Sequence, residues 1–388
     1  MDEKVYWDLA GKYRQALERD KKKALKRLWL TVPIGIAVGV AAGILENVWE
    51  DFTFPSLWAV IPLFFLAYLT EVAIHEAGHL VCGLLSGYRF VSYRILTFAF
   101  YKKEGKLRFG RYAVPGTAGQ CLMAPPSFDA EEVPYRLFHM GGVIFDSISF
   151  AVHLLLLFVF VPVEWLRFYF GLLACIALVF ALSNGIPMTV GVANDGKNLR
   201  DMSRSPKARE AACRQLLLLE EMARGTRYKD MPEELFPIYT GENDSHLTAS
   251  QTHMALQRMM EKGEFAEAKA LILRILTETA ELPAAYMNAY LFDLWYLEMM
   301  GEHRTAIVEM LKNELADFSK RQKNSVQVIR CTLTYQYLYV GNMTEIRAAR
   351  ARLDRLGKSY VFKGDLAFEN QLIDNAKAIY DAWAGNRA

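Results

Sequence analysis

Four apolar stretches in the first half of the chain, at roughly residues 28 to 47, 57 to 85, 137 to 163 and 166 to 190, constrain the fold more than any other feature. About 20 apolar residues cross the ~30 Å hydrocarbon core of a bilayer as a helix, the conformation that satisfies every backbone N–H and C=O within the segment. Each stretch can span in this way, so the first half reads as an all-α membrane protein. The 388 residues are only 53% hydrophobic overall, because the chain turns polar beyond about residue 200. Three parts follow: a basic segment 1–27, a membrane domain 28–199 and a soluble α-helical domain 200–388. The segment up to Arg27 is longer than a signal-peptide n-region and precedes no small-residue cleavage site, so it reads as retained. A formal charge of +2 gives no basis for a nucleic-acid partner. The five cysteines, Cys82, Cys121, Cys175, Cys213 and Cys331, lack CxxC spacing and imply neither a disulfide framework nor a cysteine-rich zinc module.

Charge sets the expected orientation. Lys21, Lys22, Lys23, Lys26 and Arg27 precede the first stretch, whereas the link after it carries Glu46, Glu50 and Asp51 and no Lys or Arg. Positive-inside bias puts the N-terminus in the cytosol. Seven basic residues from Arg89 to Arg111 fill the link after the second stretch, and only Arg167 the link after the third. Both agree with four spans and cytosolic termini. Between the second and third spans, aromatic and β-branched runs flank a Lys-Lys-Glu-Gly-Lys turn, which predicts a β-hairpin over Arg89 to Val114. Pro115, Gly116, Gly119, Pro125 and Pro126 then break regular structure. In the polar half, Gly263, Gly301 and Gly341 recur at intervals of 38 and 40 residues, each opening a similar phrase. The phrases read as the turn and second helix of stacked helical hairpins, a tetratricopeptide-like repeat with a longer period. Stacked hairpins offer a concave surface to a cytosolic protein partner.

Chemistry is concentrated in the second stretch, where His75-Glu76-Ala77-Gly78-His79 matches HExxH. Two histidines one helical turn apart direct their ring nitrogens at one metal, and the intervening Glu is placed to take a proton from water. One zinc ion held by few ligands keeps a coordination position open and lowers the pKa of water there to about 7. Carboxylates and imidazoles inside an apolar span cost several kcal/mol unless partnered, which makes a chance occurrence hard to sustain. Glu71 either accepts a hydrogen bond from the second ring nitrogen of His75 or pairs elsewhere near the interface. His139 and His153 belong to no motif and stay outside the catalytic set.

These residues resemble the site-2 protease family of intramembrane zinc metalloproteases, with His75, Glu76 and His79 on its HExxH motif. Gly87 fits the small residue that follows the motif. Gly142 and Asp146 resemble the family's Gly-Pro-x-x-Asn element, with Val143 in place of Pro and Asp146 in place of Asn. Asn184, Pro187, Asp195 and Gly196 resemble its Asn-x-x-Pro and Asp-Gly elements, with about three extra residues between Pro187 and Asp195. The resemblance covers roughly residues 57 to 200. It implies that Asp195 is the third zinc ligand and Glu76 the general base. Cys82, three residues after His79 on the same helical face, is the competing ligand. Three ligands on one helix would crowd the metal to one side, which favours Asp195.

The expected function is hydrolysis of membrane-anchored proteins or hydrophobic precursor peptides within the lipid bilayer. The hairpin either offers an edge strand to an extended substrate, covers the site, or rests in the headgroup layer. Two other readings stand beside this one: a non-catalytic membrane binding or scaffold protein with a structural zinc site, and a metal-ion transporter or sensor. Glu76 argues against the first, since a structural site needs no base. No paired inverted repeats support the second.

Overall fold

The computed structural model describes residues 3–48, 56–103, 105–113, 117–129, 131–159, 163–190, 192–240, 245–279, 282–302 and 304–385; within these, the side chains of 26–48, 57, 159, 164, 190, 384 and 385 are not described. The chain is mostly helical, with a small antiparallel sheet. Among the described residues three helices are long and apolar enough to cross a membrane: α2 (Leu57–Leu85), α3 (Tyr135–Val159) and α4 (Glu164–Gly185). Their outward surfaces remain apolar and exposed, as at Ile61, Phe64 and Phe65. The first expected span, 28 to 47, lies on α1 (Glu3–Val48), and its side chains fall outside the described residues. The fourth stretch leaves the helix earlier than residue 190. Ile186 is already extended at φ −76°, ψ 120°, because the ring of Pro187 disfavours a helical residue before it.

α2 and α3 approach at a crossing of two glycines. A Cβ on Gly78 would strike the Gly141 carbonyl, and one on Gly141 the Gly78 carbonyl, so no larger residue fits at either position. This backbone contact fixes the spacing of the side chains on either side of it.

The expected hairpin is part of a larger sheet. Strands β1 (Arg89–Ile95), β2 (Phe98–Lys103), β3 (Lys106–Arg111) and β4 (Gly119–Ala124) pair antiparallel in the order β3-β2-β1-β4. β2 and β3 turn at Gly105, where φ is +74°. Gly119 was expected among the breakers of regular structure, yet it opens β4. The strand pairs along β1 from Ile95↔Gly119 to Arg89↔Ala124, a long-range pairing that no local turn signal announces.

After a two-stranded hairpin, β5 (Thr189–Val190) and β6 (Val192–Ala193), the chain continues through α5 (Asp195–Arg204) and α6 (Pro206–Arg224) into the helical tail. This comprises α7 (His246–Lys262), α8 (Phe265–Glu278), α9 (Ala284–Met300), α10 (Thr305–Glu314), α11 (Ala316–Arg321), α12 (Val326–Tyr335), α13 (Met343–Ser359) and α14 (Lys363–Gly385). Gly263, Gly301 and Gly341 each stand between two helices, as the repeated phrases require; Gly263 and Gly341 do so as left-handed caps.

The tail's largest core cluster is not built from the tail alone. It takes in Tyr6, Leu9 and Tyr13 of α1 and Val91, Ala99, Tyr101 and Leu122 of the sheet. α1 is held across the turn between α8 and α9: Lys12 donates to the Leu276 carbonyl at 2.8 Å, and Asp20 accepts from the Ala284 amide at 2.8 Å. Tyr6 donates to buried Glu298, which also meets Lys269 and Arg304.

A second polar group lies in the tail's interior. Fully buried Arg330 donates to Asp293 at 2.5 Å and lies 3.2 Å from Glu369, while His253 meets the other Asp293 oxygen at 2.8 Å. Burial pushes Glu369 from the ordinary 4.5 up to about 8; Arg330 opposes this, while Asp365 and Asp293 reinforce it. A carboxyl raised on folding contributes stability below its unfolded pKa and loses it as pH rises through the folded one. Thermal stability of the purified protein should therefore fall between pH 4.5 and about 8, and Glu369→Gln should flatten that dependence. Arg330→Met should cost roughly 3–5 kcal/mol in an unfolding titration, because it strands Asp293 without its cation.

Candidate metal centre

HExxH sits on one face of α2, turned into the bundle, with His75, Glu76 and His79 each only 7% exposed. Helical spacing puts both imidazoles on the α3 side, where each ring finds one acceptor. His75 donates Nδ1–H to Asp146 Oδ2 at 2.8 Å, and His79 donates Nδ1–H to the Phe138 carbonyl at 2.9 Å. Those bonds fix both tautomers and leave the Nε2 lone pairs free, the arrangement that orients metal-binding histidines. Room for the His75 ring comes from Gly142, whose missing Cβ would collide with it.

Both Nε2 atoms point at one oxygen. Asp195 Oδ2 lies 3.2 Å from His75 Nε2 and 3.3 Å from His79 Nε2, and the two nitrogens are 3.3 Å apart. Four-coordinate zinc with arms of 2.0–2.1 Å at the tetrahedral angle sets its donor atoms about 3.3 Å apart. The donor set thus fits a zinc ion at all three edges. Two lone pairs and a carboxylate oxygen converging at this range repel one another unless a cation lies between them.

Asp195 reaches the site from the first turn of α5. The extra residues after Pro187 fold into the β5/β6 hairpin, so the longer interval becomes a tight loop. Asn194, which the sequence reading passed over, anchors that loop. Its Oδ1 accepts from Met188 N and Lys197 N, both at 2.9 Å, and its amide donates to the Ser183 and Ile186 carbonyls at 2.6 and 2.7 Å. It caps α5 and ties that helix to the end of α4. An Asn, a favoured N-cap residue type, directly before the acidic Asp195 was the available signal.

The remaining candidates sort by contact. Cys82 is not among the converging atoms; it packs at the α2–α3 crossing against Gly141. Glu71 does not hold His75. It accepts from Ser149 Oγ at 2.8 Å and lies 3.5 Å from His153, so Asp146 takes the role beside His75. Gly87, at φ +78°, turns the chain from α2 into β1. Asn184 and His139 line the same cavity of about 500 Å³ as the histidines, and the Nε2 of His139 is buried without a hydrogen bond. His153 lies apart, on Ser149 and Phe170.

Glu76 faces β4. Its carboxylate accepts from the Cys121 amide, and it lies against Gly119, where a side chain would displace it. Residues 117–122 form one wall of the cavity. Burial, then Glu76, pushes the Cys121 thiol up.

Asp146→Ala should lower zinc affinity about 10–100-fold in a chelator competition, because His75 loses the partner that orients it. Asp195→Ala should empty the site in metal analysis of the purified protein, while Cys82→Ala should retain the metal; the reverse pattern would move the third ligand to Cys82.

Comparison of the chain with models of known families, with curated proteins and with solved structures finds no match.

Proposed function

We propose that the protein is an intramembrane zinc endopeptidase, similar to the site-2 proteases, that hydrolyses membrane-anchored proteins or hydrophobic precursor peptides. The observation that carries this reading is the convergence of His75, His79 and Asp195 at the edge lengths of a zinc tetrahedron, with Glu76 beside them on an apolar helix. A zinc ion held there would polarise a peptide carbonyl and acidify water.

The residues of the chain divide the remaining work. Glu76, fixed by the Cys121 amide, accepts a proton from the attacking water as its oxygen bonds to the carbonyl carbon. It returns that proton to the departing nitrogen as the C–N bond breaks. Asp146 and the Phe138 carbonyl keep the imidazoles turned inward. β4 is an edge strand of the sheet and lines the cavity, so an extended substrate segment can pair beside it, which exposes the scissile carbonyl that a helix would hide. The exclusion of bulk water by α2, α3 and β4 strengthens each of these interactions. The proposal includes a multi-pass arrangement with α1 contributing a further span and both termini in the cytosol. There the helical tail would meet the cytosolic part of a substrate or a partner protein.

Glu76→Gln tests the assignment. The variant should keep its fold and zinc, while turnover of a membrane-anchored substrate should fall by about 10²–10⁴-fold. Full proteolysis in a zinc-loaded Glu76→Gln protein would refute the general-base role.

A further inference from the structure

We infer that the outer half of the four-stranded sheet is a lipid-binding face that rests in the headgroup layer beside α2, where it contacts anionic lipids. Antiparallel pairing places Phe98 opposite Arg111, Phe100 opposite Phe109 and Lys102 opposite Leu107, so these six side chains share one face of β2 and β3. Tyr93 and Ile95 of β1 pair with Phe100 and Phe98 and lie on the same face. That face is turned toward α2. The Tyr93 hydroxyl donates to the Ala73 carbonyl at 2.6 Å, and Gly119, opposite Ile95, sits against Glu76. The other face, with Ala99, Tyr101 and Leu122, is buried in the core shared with the tail. The sheet is therefore a plate with the tail on one side and the surroundings of α2 on the other.

An antiparallel sheet that covers a core with one face normally turns polar residues outward on the other. Here the pattern is inverted. Phe98, Phe100, Leu107 and Phe109 are 48%, 49%, 63% and 57% exposed, and the Phe98 and Phe109 rings stack at 6.0 Å. The patch lies on the side of the sheet that β1 turns toward α2, a helix with the length and composition of a membrane span. Arg111 lies with its guanidinium over the Phe98 ring, and Lys102 is exposed on the same face beside Leu107. No described residue of β2 or β3 is acidic. Aromatic rings bordered by basic groups are the composition that settles at a membrane interface with anionic headgroups.

Tyr93 anchors the sheet at Ala73, about 24 Å along α2 from Leu57, so the sheet lies beside the second half of a helix long enough to cross a ~30 Å core. The inference requires α2 to span a bilayer and is independent of proteolysis.

Spin labels at Phe100→Cys and Phe109→Cys test it, in the full chain reconstituted into nanodiscs of phosphatidylcholine with or without phosphatidylglycerol. Labels at Phe64→Cys and Lys320→Cys serve as lipid-facing and aqueous references, and unsubstituted protein corrects for native thiols. The ratio of oxygen to nickel-chelate collisions at positions 100 and 109 should exceed that at 320 severalfold and follow that at 64. It should rise further at 109 with phosphatidylglycerol, and Lys102→Glu with Arg111→Glu should abolish that rise. Labels at 100 and 109 that behave as at 320, while 64 keeps its lipid signature, would overturn the inference and leave the face to water or a protein partner. A rise that survives charge reversal would overturn the headgroup contact. An aqueous signature at 64 would remove the span itself.

Discussion

The backbone contact between Gly78 and Gly141 sets the geometry on which the candidate metal centre depends. With no side chain at the crossing, α2 and α3 lie close enough for short polar groups to reach across. On one side of it His75 meets Asp146, and on the other His79 meets the Phe138 carbonyl. A larger residue would push the helices apart and stretch both bonds, although neither glycine touches a ligand atom. A turn further along, Glu71 and Ser149 repeat the pattern, so one seam carries a ladder of polar contacts through an otherwise apolar bundle. Small residues that let helices approach, and polar groups that bond across the gap, are what association within lipid relies on.

Much of the centre was legible because its chemistry is tied to local spacing. HExxH is a statement about one helical face, and an apolar context strips it of bland explanations. The same reasoning favoured Asp195 over Cys82, and the three donor atoms that converge are those of His75, His79 and Asp195. What spacing could not give was partnership between segments. Glu71 was the candidate to hold His75, and only the register of α3 against α2 gives that place to Asp146. Asn194 was passed over because its work is to satisfy backbone groups of a loop whose shape the sequence does not announce.

The fold shows the same division. Three of the helix-length apolar runs and the β2–β3 turn are local patterns found close to their places, although α4 ends before residue 190, whereas β4 is recruited to the sheet from beyond a break in the chain. The glycines between tail helices were visible as a repeat. That the tail's core extends into α1 and the sheet was not, because the apolar faces that meet there are far apart in the chain and each reads as ordinary amphipathic structure.

That separation has a consequence in time. Lys12 waits for a carbonyl acceptor 264 residues later in the chain, and Tyr6 for a carboxylate 292 residues later. At the ~5–20 residues per second of translation, the first helix spends on the order of ten seconds to a minute without its partners. The segments α2, α3 and α4 are all synthesised within that interval. Docking of α1 closes only on a chain whose apolar helices have already left the ribosome, so these contacts between α1 and the helical tail form after the apolar helices are made.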